Sequence, residues 1–249
     1  MTLHEPDYFE LETLTGTMRV HRFLPSGGDR PPAVILYSEI YQMTGPIQRL
    51  AARLAGEGFE VFVPEVYHEY EAPGAVLSYD KEGTERGNFL KFEKPVSSFD
   101  SDAAALLEWI TIRAEYHWMG VGTLGFCLGG HLAFRASLDR RVVAVSCFYA
   151  TDIHSSSLGK GKRDDTLARC GEIEAELLLV WGRQDPHVPD AGRRLIYDKL
   201  TEKERNFQWH EFNAAHAFAR DEGPRYDPTA SRIAWEMTLE LFKRKLLKQ

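Results

Sequence analysis

The stretch VGTLGFCLGGHLAFRASL, from Val121 to Leu138, decides the fold. Val121 to Phe126 is an apolar run of strand length, and residues 128–138 carry a helical pattern that opens with no linker between the two. A strand that passes straight into a helix must turn at one residue, and Cys127 stands there. Such a turn holds its central residue in a strained backbone conformation and lifts the side chain above the end of the sheet. Gly125 and Gly129, two residues before and two after, are crowded together by that turn, and glycine relieves the clash. The Leu128 amide, at the helix start, points to where an oxyanion would form, and the helix N-terminus favours a thiolate. A glycine-flanked cysteine can also be plain core; the strand–turn–helix setting favours a nucleophile.

Working outward, the same alternation recurs. AVILY (33–37), after Pro31-Pro32, reads as a buried strand, and FEVFV (59–63), closed by Pro64, as another. Between them Ile47, Leu50, Ala51 and Leu54 share one helical face that stops at Gly56. Two short strands, 8–14 and 17–24, flank the Thr15-Gly16 turn. Residues 98–116 predict a helix capped by Ser98 or Asp100, with Ala103, Leu106, Leu107, Ile110 and Ala114 on one face. Strands follow at 142–148, 175–181 and 207–212, with a helix at 191–200. A last helix carries Ala230, Ile233, Ala234, Met237 and Leu241 as its apolar stripe. Alternating strands and helices, with most strands nearly all apolar, predict an α/β fold: a mostly parallel central sheet with helices on both faces. The polar stretch 65–98, with Tyr67, Tyr70, Tyr79, Phe89 and Phe92 among charges, reads as a cap- or lid-like segment over a pocket, within a single domain, 1–249.

Composition narrows the function. With 249 residues, 43% apolar, 27% charged and a net charge of −7, the chain fits one globular domain and not a nucleic-acid or anionic-membrane binder. The first twenty residues hold four acidic side chains and no apolar core, so they do not read as a signal peptide. Apolar runs such as 177–181 are far too short for a membrane helix. Cys127, Cys147 and Cys170 are too few and scattered for a disulfide framework or a zinc site, which suits a reducing cytoplasm. With no metal cluster, phosphate loop or dinucleotide fingerprint, the expectation is no metal, no cofactor and a small-molecule partner, for a monomer or small homo-oligomer.

In parallel sheets, sites form where strands end. Asp185, in WGRQDPHVP (181–189), lies just beyond a buried strand, where a carboxylate can orient a histidine. Alone it would be an ordinary turn aspartate before proline. His216, in NAAHAFAR (213–220), follows the last strand. Of the other histidines, His210 falls inside a strand, His131 in a helix, and His187 in the loop beside Asp185. The chain order nucleophile, acid, histidine is that of α/β-hydrolases.

Over nearly its whole length the sequence resembles the dienelactone hydrolase (carboxymethylenebutenolidase) family. The motifs are Gly125-Phe126-Cys127-Leu128-Gly129-Gly130, Gln184-Asp185 with Val188-Pro189, His216-x-Phe218-x-Arg220, and Ser38-Glu39-Ile40-Tyr41 directly after a strand. The resemblance implies the three-layer α/β-hydrolase fold and a Cys127–His216–Asp185 triad. It implies that Glu39 bonds the resting thiol and is freed by substrate to help form the thiolate, and that the Ile40 amide is the second oxyanion donor beside Leu128. It implies arginines for an anionic substrate, Arg220 by position and Arg86 as the arginine within reach, with Tyr149 and Phe218 at the site. Gln42 stands where the family often has glycine, residues 65–98 are dissimilar, and the loop 155–176 is longer than usual. The expected reaction is cleavage of an ester or enol lactone through an acyl-thioester. The alternatives are a general carboxylesterase or thioesterase on the same scaffold, and a non-hydrolytic redox-responsive thiol or ligand-binding protein.

Overall fold

Eight strands form one sheet in the order β1-β2-β4-β3-β5-β6-β7-β8. The computed structural model describes residues 4–27, 31–112 and 120–247. The strands are β1 (Asp7–Thr13), β2 (Gly16–Phe23), β3 (Ala33–Tyr37), β4 (Glu60–Pro64), β5 (Val121–Phe126), β6 (Val142–Phe148), β7 (Glu176–Gly182) and β8 (Phe207–Phe212). β1 pairs antiparallel with β2 and β2 with β4; every other pairing is parallel. The helices are α1 (Gly45–Gly56), α2 (Lys81–Glu93), α3 (Val96–Ile112), α4 (Leu128–Ala136), α5 (Asp190–Glu202) and α6 (Pro228–Leu246).

The central strands are apolar on both faces because helices cover both. Along β7, Leu177, Leu179 and Trp181 enter the core with α3, α4 and α5, while Leu178 and Val180 enter the core with α1 and α6. This period of two divides the interior into two apolar layers with the sheet between them. The parallel strands end on one rim, where β3, β5, β6, β7 and β8 hand over to the loops that carry the distinctive residues.

Two local expectations are corrected. α3 begins at Val96, so Ser98 is buried inside it and Asp100, instead of capping, receives Arg135 of α4 at 2.6 and 2.8 Å. Residues 113–116, with Ala114, lie outside the described residues. On α6, Ile233 faces outward, and the buried face runs through Ala230, Ala234, Trp235, Leu241 and Phe242. The polar stretch 65–98 holds α2, whose N-cap Asp80 accepts from the Gly83 amide at 2.8 Å.

That stretch is pinned from below. The fully buried Lys94 ammonium donates to Asp102 of α3 at 2.5 Å, to Glu69 at 2.7 Å and to the Val66 carbonyl at 2.9 Å. His68 Nε2 lies 3.1 Å from the same Asp102. His68, Glu69 and Asp102 have the donor set of a cation site, and the Lys94 ammonium fills that part.

Candidate active site

Cys127 is the N-cap of α4, with φ 57° and ψ −118°. A non-glycine residue at positive φ costs of order 1–3 kcal/mol and is kept only where its surroundings dictate it. Here they do: Cys127 N–H donates to the Phe148 carbonyl of β6 at 3.1 Å, and its own carbonyl accepts from Gly130 and Thr151 amides at 3.1 and 3.2 Å. A Cβ on Gly125 would strike the Gly129 carbonyl, and one on Gly129 would strike the Tyr37 and Ser38 carbonyls. Cys127 is partly exposed, whereas Cys147 and Cys170 are buried and their thiols are pushed up by that burial. Leu128 N–H is the first of its helix, so it has no acceptor within the helix.

β7 and β8 pair through Gly182 and Phe212, which sets the loops after them side by side. Asp185 and His216 are both buried, and Asp185 Oδ2 lies 2.7 Å from His216 Nδ1. Asp185 Oδ1 accepts the His187 amide at 2.8 Å, so the carboxylate cannot swing away. With Nδ1 committed as donor to Asp185, the other ring nitrogen is left for Cys127. Burial alone would lower the imidazole. The charge of Cys127, hydrogen bonds to Asp185 and Cys127, and the charge of Asp185 outweigh it and push His216 up to about 10. The arrangement therefore holds an imidazolium beside a sulfur at neutral pH.

Glu39 follows β3 and is buried. Its Oε2 accepts from Arg220 Nη1 and from Tyr79 Oη, each at 3.4 Å. These are the hydrogen bonds the Glu39 carboxylate makes among the described residues, in place of the expected bond to the thiol; a guanidinium is the stronger partner for a carboxylate. Arg220 also lies 4.1 Å over the Tyr79 ring, and Tyr79 Oη is 2.7 Å from Thr44 Oγ1. Ile40, next to Glu39, has its amide without a partner among the described residues. The β3–α1 loop is held from above by residues 65–98: Gln42 bonds the Ala75 carbonyl at 2.9 Å and Tyr41 Oη the Thr84 hydroxyl at 2.9 Å.

A pocket of about 230 Å³ opens over Cys127 and is lined by Glu39, Ile40, His216 and Arg220 among others. Thr84, Asn88 and Lys91 of α2 form part of its wall, at helical spacings that put them on one face. Arg86 does not join them. It is exposed on another face of α2, donates to Glu71 at 2.6 Å and is not among the residues that line this pocket. Tyr149 and Phe218 are fully buried behind the wall; the Tyr149 ring packs 5.0 Å from His216 and 5.5 Å from Phe218, supporting the imidazole from below. Sequence reasoning missed Lys91, Asp152, Arg225 and His187 as pocket residues and Tyr79 as the partner of Glu39. Only His187 carried a signal, its place two residues after Asp185.

Residues 18–246 match the family model of the dienelactone hydrolase family. A Saccharomyces cerevisiae protein provisionally named a carboxymethylenebutenolidase is 40% identical over 250 residues, covering 96% of this chain and 91% of the relative. A carboxymethylenebutenolidase of a Pseudomonas species is 29% identical over 231 residues, covering 92% and 91%. Among solved structures, a Klebsiella pneumoniae protein provisionally called a dienelactone hydrolase superposes with a TM-score of 0.83 at 19% identity, covering 98% of this chain and all of that one. The Pyrococcus horikoshii acylaminoacyl peptidase shares the fold at a TM-score of 0.74 and 15% identity, covering all of this chain and 43% of that one.

Proposed function

The chain belongs to the dienelactone hydrolase family and is a hydrolase of ester or lactone bonds, and from that premise we propose that it works through a Cys127–His216–Asp185 triad and an acyl-thioester. Membership sets aside the reading of a non-hydrolytic thiol sensor. The observation that carries the triad is His216, held between Asp185 at 2.7 Å and Cys127 and pushed up to about 10.

Cys127 attacks the substrate carbonyl as thiolate. The Leu128 and Ile40 amides receive the developing oxyanion. As the tetrahedral adduct collapses, the His216 imidazolium gives its proton to the leaving alkoxide or enolate, and the acyl group stays on sulfur. With the sulfur acylated, its negative charge is gone, so neutral imidazole becomes available. His216, oriented by Asp185, then takes a proton from water, and the hydroxide expels the thiolate and releases the acid. Thiolate leaves a tetrahedral carbon more readily than an alkoxide does, so substrates with good leaving groups, such as enol lactones, are favoured over alkyl esters. An anionic substrate that takes Arg220 competes with Glu39 for the same guanidinium and so releases Glu39 within the pocket. Residues 65–98 act as the cap of this pocket.

The test is turnover of an activated aryl ester and of an enol lactone by Cys127→Ala and His216→Ala. Losses of about a thousandfold or more are expected in both. Undiminished turnover in both variants removes the triad. A rate on neutral aryl esters equal to that on the enol lactone would favour the broader carboxylesterase reading.

A further inference from the structure

The turn that carries the Ile40 amide is not held by its own backbone. Ile40 and Tyr41 are the middle residues of the turn Glu39–Gln42, whose closing bond, from the Gln42 amide to the Glu39 carbonyl, is 3.4 Å long. That is the outer limit of a hydrogen bond. Gln42 leaves the turn at φ 63°, a conformation that glycine adopts freely and a longer side chain only under constraint. The constraint comes from residues 65–98. The buried Gln42 side chain donates from Nε2 to the Ala75 carbonyl at 2.9 Å, and its Oε1 accepts the Tyr67 amide at 3.4 Å. Tyr67, itself fully buried, donates its hydroxyl to the Gly87 carbonyl of α2 at 3.2 Å. Gly87 lies so close to Ile40 that a Cβ there would strike the Ile40 carbonyl. The Leu77 amide adds a bond of 3.1 Å to the Tyr41 carbonyl. A ring of contacts thus runs from Gln42 through Tyr67 and Gly87 back to Ile40.

We infer that Gln42 is a positioning residue for the oxyanion: by tying this turn to the cap segment, it fixes where the Ile40 N–H points. That N–H belongs to the peptide unit at the head of the turn and has no partner among the described residues. Rotation of the unit would swing the donor away without breaking a bond of its own. A donor that meets its acceptor only in the transition state acts best when it is fixed beforehand. The Leu128 amide needs no such help, because α4 holds it. The Ile40 amide has no helix behind it, and a side chain from the far end of the turn takes that part. The strain at residue 42 is thereby explained: glycine would relax the backbone and give up the tie to Ala75. Thr84, Asn88 and Lys91 of α2 line the pocket while Gly87 of the same helix presses on Ile40. The element that walls the pocket therefore also sets the donor.

The inference rests on the hydrolase reading of the same site. Gln42→Gly and Gln42→Asn place at this φ residues that tolerate it and remove the reach to Ala75. Gln42→Met keeps the length without the bonds. In all three, kcat on phenyl acetate is expected to fall about tenfold with KM little changed. Phenyl trifluoromethyl ketone supplies a readout without turnover: the Cys127 sulfur adds to its carbonyl carbon, and the carbonyl oxygen takes the electron pair as an oxyanion. Its affinity should weaken by the same factor. Alkylation of Cys127 by iodoacetamide forms a carbon–sulfur bond and releases iodide with no oxyanion, so its rate should stay within about twofold of wild type. The Tm of Gln42→Gly should stay close to wild type, because released strain offsets the lost bonds. Wild-type kcat and ketone affinity in Gln42→Gly overturn the inference, as does full turnover by Gln42→Met. Alkylation that falls in step with turnover overturns it too, because Gln42 would then support the whole site and not the donor. If the wild type hydrolyses no ester or lactone yet binds the ketone more tightly than Gln42→Gly does, the hydrolase reading fails and the positioning role stands. Hydrolysis by the wild type with ketone affinity unchanged in the variants sinks the positioning role and leaves the hydrolase reading untouched.

Discussion

Cys127→Ala should release the proton on His216. The imidazole sits at about 10 against an ordinary 6.5, a gap worth roughly 5 kcal/mol at about 1.36 kcal/mol per unit. Burial works against that gap, so the groups raising it supply more than the net figure, and the charge on Cys127 leads them. Alanine removes both that charge and the hydrogen bond from sulfur, leaving Asp185 to oppose burial alone. The His216 midpoint should therefore fall by at least about two units, from about 10 towards the ordinary value. The assay is carbon- or nitrogen-detected NMR of the labelled imidazole from pH 5 to 11, in wild type and variant. The stability linkage has the same origin. A histidine held above its unfolded value stabilises fully below about pH 6.5, and that stability is lost as pH climbs through about 10. Wild type should lose unfolding free energy across that window more steeply than Cys127→Ala. An unchanged midpoint in the variant would refute the reasoning, because sulfur would then have no part in holding the imidazolium.

Lys94→Met leaves Asp102 and Glu69 without their shared ammonium; a loss of about 3–5 kcal/mol is expected, read as a Tm lower by roughly 6–20 °C in calorimetry. Gly129→Ala drives a methyl group into the Tyr37 and Ser38 carbonyls, which cannot both retreat, so a loss of about 3 kcal/mol or more should appear in urea unfolding together with lost turnover. Asp164 accepts from the Leu158 and Thr166 amides; burial opposes its charge, but His131 and these bonds prevail and hold the carboxyl well below its usual range. The stability it contributes is therefore present above the ordinary carboxylate range and is lost as pH falls through the lowered value. Asp164→Asn should flatten the acid limb of a stability–pH curve, and an unaltered limb would speak against it.

Where the sequence was legible, backbone geometry left no choice. The strands at 121–126 and 142–148 coincide with β5 and β6 because a strand buried on both faces must be a short apolar run with sharp ends. Cys127 was legible because a one-residue turn between strand and helix excludes a Cβ at Gly125 and Gly129. α2 was not, because it has no apolar stripe to detect. One of its faces is Thr84, Asn88 and Lys91, turned to the pocket; another is Gly83 and Gly87, pressed onto Ser78 and Ile40. The placement of Arg86 was hidden for the same reason. Once α2 is a helix, a residue two places from Thr84 stands roughly 200° around the axis from it and faces away. The Glu39–Arg220 pair joins residues far apart in sequence, and no local pattern marks it.

The division between legible and hidden follows the division of labour in the pocket. Nucleophile, acid and base must meet within hydrogen-bonding reach, so their positions are dictated by strand ends and tight turns. Charge recognition tolerates many placements, and any helix or loop that reaches the rim can supply a cation. That tolerance bears on selectivity. When a substrate carboxylate replaces Glu39 on Arg220, one carboxylate is exchanged for another on the same guanidinium, and the exchange is close to neutral in energy. Lys91 offers the same near-neutral exchange with Asp152. Neither matched pair can by itself favour an anionic ester over a neutral one by much. Discrimination has to come from a cation with no internal carboxylate to give up. Among the described residues lining the pocket, Arg225 is the guanidinium in that condition, so the charge preference of this hydrolase should follow residue 225 more closely than residue 220.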